Sequence, residues 1–135
     1  MSETESQSVK GNIMLNVAVL GASNKPDRYS YKALMLLKEK GFAAYPVHPL
    51  LEEIEGIPVY NSLRSIPVPL HVVSLYLGAA NQQSVMEDII ASRPRRVIFN
   101  PGAENPPFAE RLHNAGIEPL EACTLVMLQT GQFSV

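Results

Sequence analysis

Residues 17–31, VAVLGASNKPDRYSY, join an apolar run to a turn that carries hydroxyl and cationic side chains. Gly21 ends the apolar run, as a glycine does before a phosphate-binding loop. Dinucleotide-binding loops have three glycines, whereas here Ser23, Lys25 and Arg28 follow the first one. Because backbone N–H groups and cations both bind phosphate, the loop predicts a multiply phosphorylated ligand. The alternative is that Lys25 and Arg28 are ordinary solvated charges.

Two common nucleotide sites fit the sequence less well. An NAD site needs an acidic residue about 20 positions after the glycine loop to bind the ribose. The corresponding stretch, 45–49, reads YPVHP and contains no Asp or Glu. The sequence therefore lacks both the glycine-rich loop and the acidic residue of an NAD site, although it does not exclude NAD. A P-loop is excluded because its lysine signature does not occur in the chain. His48 in this stretch could donate to a ribose phosphate or stack on adenine.

The sequence predicts no catalytic residue and no metal site. The three histidines His48, His71 and His113 are scattered, and only His48 is expected beside the ligand. No Ser-His-acid set and no metal-ligand spacing can be assembled from the chain. Glu104 is expected to be an exposed loop carboxylate without a chemical role.

The elements that must position these residues alternate between strands and helices. Such alternation predicts an α/β fold, a Rossmann-like doubly wound parallel sheet of about five strands with right-handed crossovers. The ligand crevice of that fold lies outside the carboxyl ends of the strands. Strands are predicted at 16–21, 42–47, 70–77, 95–100 and 117–122, and helices at 30–41, 81–92 and 106–116, with a connecting segment at 49–67 and a short last helix within 124–133.

Composition favours one globular domain, predicted at 13–135 after a flexible tail at 1–12. Apolar residues form 46% of the 135 residues, enough for a core without metal or disulfides. A net charge of −2 argues against nucleic acid as a partner, and no apolar run is long enough for a membrane span. A single cysteine, Cys123, fits a reducing compartment, so a cytoplasmic location is expected.

Five segments together carry a resemblance to a known family: VAVLGAS, YPVHP, GIPVYNSLRSIP, VIFNPGAEN and CTLVMLQTGQF. In this order and spacing they resemble the CoA-binding domain family, similar to the N-terminal domain of the succinyl-CoA synthetase alpha subunit, over about residues 13–133. The resemblance implies a Rossmann-like fold with CoA or an acyl-CoA lying across the strand ends. It implies that the phosphates are held by Gly21, Ala22, Ser23 and Lys25, the adenosine is bordered by Pro46, Val47 and His48, the groove is lined by Leu77 and Gly78, and the pantetheine arm is faced by Asn100, Pro101 and Gly102.

CoA also explains the unusual loop physically. Its 3′-phosphate and pyrophosphate suit Lys25 and Arg28 and the missing acid, while its neutral arm suits amide partners such as Asn100. The leading hypothesis is a non-catalytic CoA-binding module. An NAD(P)-dependent oxidoreductase, a CoA-linked transferase subunit that needs a partner chain, and an interaction protein without a ligand stay open. Also open are a homodimer or protein partner, the acyl group, and a mixed disulfide between Cys123 and CoA.

Overall fold

A five-stranded parallel sheet organises the chain in a computed structural model, which describes residues 15–134. The tail predicted at 1–12 lies outside the described residues. Within residues 15–134 the strands are β1 (Asn16–Leu20), β2 (Ala43–Val47), β3 (Glu53–Ile54), β4 (Ile57–Pro58), β5 (Val72–Leu75), β6 (Arg96–Phe99) and β7 (Glu118–Glu121). The large sheet has the order β2-β1-β5-β6-β7, and every neighbouring pair in it is parallel. The predicted α/β fold with five parallel strands is therefore confirmed.

The helices begin and end close to their predicted bounds, with one exception. The helices are α1 (Tyr29–Glu39), α2 (Met86–Ser92), α3 (Pro106–Asn114) and α4 (Thr124–Gln129), with 3₁₀ turns at Leu63–Ser65 and Ala79–Asn81. The helix predicted from residue 81 starts five residues later, because Gln82 is buried and its side chain is hydrogen-bonded in the preceding turn. Within residues 15–134 no helix is long and apolar enough to cross a bilayer.

Helices cover both faces of the sheet, which explains why its central strands are almost entirely apolar. On one face α1 and α4 pack over alternate strand residues such as Val17, Val19 and Ile98. On the other face α2 and α3 pack over the intervening residues, with Phe108 and Leu112 in the core. Both sides of each central strand are therefore buried, and the polar ligand-facing groups are left to the loops at the strand ends.

The connecting segment after β2 contains a small hairpin that the sequence did not predict. Strands β3 and β4 pair in an antiparallel manner around Glu55 and Gly56, whose φ angles of 51° and 81° are those of a two-residue hairpin turn. The Tyr31 hydroxyl in α1 donates to Glu55 Oε2 over 2.7 Å, which ties the hairpin to the helix. Tyr60 then joins the end of β2, because its N–H donates to Pro46 O and its carbonyl accepts from His48 N.

Candidate functional site

An open cleft of about 1320 Å³ lies at the carboxyl edge of the parallel sheet. From β1 the chain continues to β2 on one side, whereas from β5 it continues to β6 on the other side. The space between the ends of β1 and β5 is therefore the point where the strand order reverses, the usual ligand position in open α/β sheets. Residues from the loops after β1, β2, β5, β6 and β7 all line the cleft.

Most of the residues that the sequence singled out lie together in this cleft. Pro46, Gly78 and Gly102 do not line it: Pro46 is buried inside β2, Gly78 precedes a 3₁₀ turn, and Gly102 donates its N–H to Glu104 Oε1. The others do line it, although binding by them stays a prediction: Gly21, Ala22, Ser23, Lys25, Arg28, Val47, His48, Leu77, Asn100 and Pro101.

Gly21 forms the turn that leads from β1 into the cleft. Its φ angle is +92°, in the left-handed region that favours glycine. A Cβ atom at this position would lie 3.2 Å from Leu77 Cδ2 and 3.3 Å from the carbonyl carbon of Tyr76, closer than ordinary contact. The turn therefore favours glycine for two independent reasons, its backbone conformation and its close approach to the end of β5.

The resemblance implied that Gly21 and Ala22 hold the phosphates. The backbone N–H groups of these two residues are, however, already hydrogen-bonded within the protein. The N–H groups of Gly21 and Ala22 both donate to Val47 O, over 3.3 and 3.1 Å, and so connect β1 to the end of β2. Among residues 15–134 the N–H groups of Ser23 and Asn24 have no acceptor, and the same holds for Tyr29 in the first turn of α1. The N–H groups without an acceptor thus lie further from the glycine and closer to the helix.

Two cations stand beside these amides. Lys25 and Arg28 are exposed, line the cleft, and form no ion pair with a carboxylate in the described part of the chain. The Ser23 hydroxyl accepts from Lys25 N over 3.1 Å, so its own proton is left to donate. Asp88 also lines the cleft, but Arg64 pairs with it. The α1 side of the cleft therefore presents two cations that form no ion pair, although the exposed Asp27 lies between them in the loop.

The His48 side chain has one nitrogen engaged and one free. Its Nδ1 accepts from Leu50 N over 3.0 Å and from Leu51 N over 3.2 Å. Because Nδ1 is the acceptor, the ring proton lies on Nε2, which can donate to a ligand. No carboxylate from the end of β2 lines the cleft beside His48. This side therefore offers a donor and does not repel an anion.

Asn100 has a different role from the one expected. Its side chain is buried, Nδ2 donates to Ser74 Oγ and Leu75 O over 3.0 Å each, and Oδ1 accepts from Thr124 N over 2.8 Å. The Ser74 and Thr124 hydroxyls also bond to each other over 2.7 Å. The Asn100 side chain is thus occupied in joining β5, β6 and the start of α4, and it is not free to pair with a pantetheine amide.

A second buried amide, Gln82, holds the two loops on the far side of the cleft. Its Nε2 donates to Leu77 O over 2.9 Å and to Ala103 O over 2.7 Å, while its Oε1 accepts from Asn105 Nδ2. Glu104, expected to have no role, accepts from the Gly102 N–H over 2.9 Å. No local motif in the sequence marks Gln82, because its partners lie 5 to 23 residues away.

Two further titratable residues, Tyr76 and Cys123, line the cleft. Burial raises the pKa of Tyr76, an effect that hydrogen bonding with Ser74 and Thr124 partly opposes. Its hydroxyl therefore stays protonated at neutral pH. Cys123 is half-buried and lines the cleft at the start of α4. His71 lies at the opposite edge of the sheet, where its Nδ1 accepts from Asn16 N over 2.8 Å.

Substitution Gly21→Ala should lower the free energy of unfolding by about 1–3 kcal/mol, because the new methyl group meets the end of β5 in a disfavoured conformation. Gly131→Ala is the matched control, since Gly131 also has a positive φ but no atom within 4 Å of the added Cβ. Urea unfolding measures both variants. Equal losses would contradict the close approach of Gly21 to Tyr76.

Substitution Asn100→Ala should destabilise the fold by about 1–3 kcal/mol, because it leaves buried polar groups of β5 and α4 without partners. The exposed Asn114 at the end of α3 supplies the control Asn114→Ala, for which a change within about 0.5 kcal/mol is expected. Thermal or urea unfolding measures the loss of stability in both variants. An Asn100→Ala variant as stable as the control would show that the side chain is not structural.

Comparisons with known proteins agree with this geometry. Residues 16–129 match the sequence model of a family described as the CoA binding domain. The uncharacterized protein YneT of Bacillus subtilis is 28% identical over 74 residues, which are 55% of this chain and 55% of that protein. The alpha subunit of ADP-forming acetate–CoA ligase II from Pyrococcus furiosus is 42% identical over 52 residues, 38% of this chain but 11% of the subunit.

Solved structures share the fold over most of the chain. The crystal structure of an uncharacterized protein has a TM-score of 0.84 and 40% identity, covering 89% of this chain and 98% of that one. A hypothetical protein from Pyrococcus horikoshii OT3 has a TM-score of 0.82 and 25% identity, covering 96% and 98%. The apo dinucleotide-forming acetyl-coenzyme A synthetase 1 of Ca. Korarchaeum cryptofilum, at 0.68 and 20%, covers 79% of this chain and 26% of that one, and shows the shared fold alone. With five parallel strands, a cleft at their carboxyl ends and a family match over 16–129, the chain belongs to the CoA-binding domain family.

Proposed function

We propose that this chain binds coenzyme A, free or acylated, in the cleft at the carboxyl edge of the sheet. The observation that carries the proposal is the pair of cations Lys25 and Arg28, which line the cleft without a carboxylate partner in residues 15–134. Unpaired cations beside a polyphosphate ligand gain strong charge-assisted hydrogen bonds. Membership of the CoA-binding domain family supports coenzyme A as this ligand.

The phosphates of the ligand are assigned to the loop after β1. The free N–H groups of Ser23 and Asn24 point to an anion there, and the first turn of α1 adds its helix dipole. Arg28 suits a phosphate because its guanidinium can bind two oxygens at once. Binding should therefore weaken as ionic strength rises, since the exposed cations are screened by salt.

The adenosine end is assigned to the loop after β2. His48 presents its Nε2–H there, and no carboxylate competes with a phosphate on the ribose. A dinucleotide with an unmodified ribose would instead be bound by an acidic residue in this place. The loop thus favours CoA, which carries a 3′-phosphate, over NAD.

The pantetheine arm is assigned to the far half of the cleft. Leu77 and Pro101 offer apolar contact, and the side chains of Asn81 and Ser84 supply exposed polar groups for the amides of the arm. These two replace Asn100, whose polar atoms are used within the protein.

The proposal assigns no catalytic residue to the cleft. Asp88 is paired with Arg64, and the Tyr76 hydroxyl is held protonated by burial. A second candidate is a CoA-linked transferase that acts with a partner chain, because one relative is a subunit of an acetate–CoA ligase. The matched segment is 11% of that subunit, so most of the machinery of such a reaction would come from elsewhere.

Substitutions Lys25→Ala and Arg28→Ala should each weaken CoA binding by about 1–3 kcal/mol, roughly 5- to 150-fold in the dissociation constant, because each removes a charged hydrogen-bond donor. Isothermal titration calorimetry measures the change. Lys40→Ala removes an exposed cation just past the opposite end of α1 and should leave binding unchanged. Dissociation constants equal to that of the wild type for both cleft variants would refute the assignment.

Calorimetry with CoA, dephospho-CoA and NADH should rank CoA first, because only CoA places a phosphate on the ribose beside His48. Equal affinity for CoA and dephospho-CoA would show that the protein does not recognise the 3′-phosphate. Binding of NADH without binding of CoA would favour an oxidoreductase instead. If none of the three binds, an interaction protein that has lost its ligand is the better description.

A further inference from the structure

The cleft includes residues of the loop before the second 3₁₀-forming segment's partner helix, α2, on the face of the sheet away from α1. Four of these residues, here called the α2 lobe, all line the cleft: Asn61, Leu63, Val85 and Asp88. Leu63 is buried in the core cluster of that face, and Val85 packs against the same cluster. The α2 lobe therefore combines apolar contact surface with two polar side chains.

The α2 lobe adjoins the place assigned to adenosine. Tyr60 is held at the end of β2 by its hydrogen bonds with Pro46 and His48, and Asn61 follows it directly in the chain. The lobe therefore begins beside His48, the residue assigned to the ribose phosphate. Because the base is attached directly to the ribose, the adenine of a CoA bound as proposed reaches this lobe.

Two polar atoms of the α2 lobe have no hydrogen-bond partner within residues 15–134. Asn61 Oδ1 accepts from Ser65 Oγ over 2.9 Å, which leaves the Nδ2 group to donate. Asp88 Oδ1 accepts from Arg64 Nε, which leaves Oδ2 to accept. The lobe thus offers one donor and one acceptor. Adenine has the matching pair, because its N6 amine donates while a ring nitrogen beside it accepts.

The carboxylate of Asp88 can lie beside an anionic ligand because its charge is compensated. Its side chain is 22% exposed and pairs with Arg64 where the 3₁₀ turn Leu63–Ser65 packs on α2. An unpaired carboxylate would repel the phosphates of CoA, whereas this ion pair carries no net charge. Among the described residues that line the cleft, Asp88 is the one with an acidic side chain.

We infer that Asp88 sets the base specificity of the site, because its Oδ2 accepts a hydrogen bond from the N6 amine of adenine. Asn61 Nδ2 donates to the ring nitrogen beside the amine, and the apolar side chains of Leu63 and Val85 contact the ring. This inference rests on the proposed function. A base with a carbonyl in place of the amine would bring an acceptor against the carboxylate, so a favourable hydrogen bond would be lost.

Calorimetry with CoA and with its deaminated analogue, which has a carbonyl in place of the N6 amine, tests the inference. The wild type should bind CoA about 10- to 150-fold more tightly than the analogue, the effect of losing one hydrogen bond to a charged group. Asp88→Asn supplies an amide whose N–H groups can donate to that carbonyl, so most of the preference for CoA should be lost. Glu87→Gln is the matched control and should keep the wild-type preference, since Glu87 is also paired with an arginine but does not line the cleft.

The outcomes separate this inference from the proposed function. Equal affinities of the wild type for CoA and the deaminated analogue would overturn the base assignment and leave CoA binding standing. An Asp88→Asn variant with the wild-type preference would show that another residue reads the base. Failure of both ligands to bind the wild type would overturn the proposed function and the inference together. Because the first comparison uses the wild-type chain, a variant that failed to fold would not affect it.

Discussion

The close approach of Gly21 to the end of β5 is the constraint on which the cleft depends. A residue with a side chain would press on Tyr76 and Leu77 in a disfavoured backbone conformation, so this turn strongly favours glycine. The two N–H groups at the turn bond to Val47 O and fasten the same point to β2. Because the turn is fixed from both neighbouring strands, the following loop starts at the sheet edge, and its cations reach the place where the strand order reverses.

Two buried amide side chains make the rest of the cleft rigid. Asn100 joins the ends of β5 and β6 to α4, and Gln82 joins the loops after β5 and β6 to each other. An unsatisfied polar group is costly in a buried site, so each network keeps one arrangement of its loops. The polar groups available to a ligand are consequently those outside these two networks, among them the side chains of Lys25, Arg28 and His48.

Local patterns in the sequence predict the sheet, its parallel pairing and the edge where the cleft lies, since apolar runs and their alternation with helices are features of neighbouring residues. The loop from Gly21 to Arg28, which is proposed to hold phosphate, is likewise continuous in the sequence. The direction of the Asn100 side chain was not predictable, because it depends on Ser74 and Thr124, 26 and 24 residues away. The β3–β4 hairpin was missed because its strands have two residues each, too few for a periodic pattern. The packing of the six-residue helix α4 on α1 was not predicted either, because no single segment encodes it.

Amide chemical-shift mapping during a titration with CoA tests the central claim most directly, because it reports where on the sheet the ligand lies. The account predicts the largest shifts in the loop 22–28 and the first turn of α1, followed by residues near His48 and Leu77. Shifts confined to another surface, such as the shallow groove formed around Ile66 and Leu70 on the α2 side, would contradict it. So would a spectrum that millimolar CoA leaves unchanged.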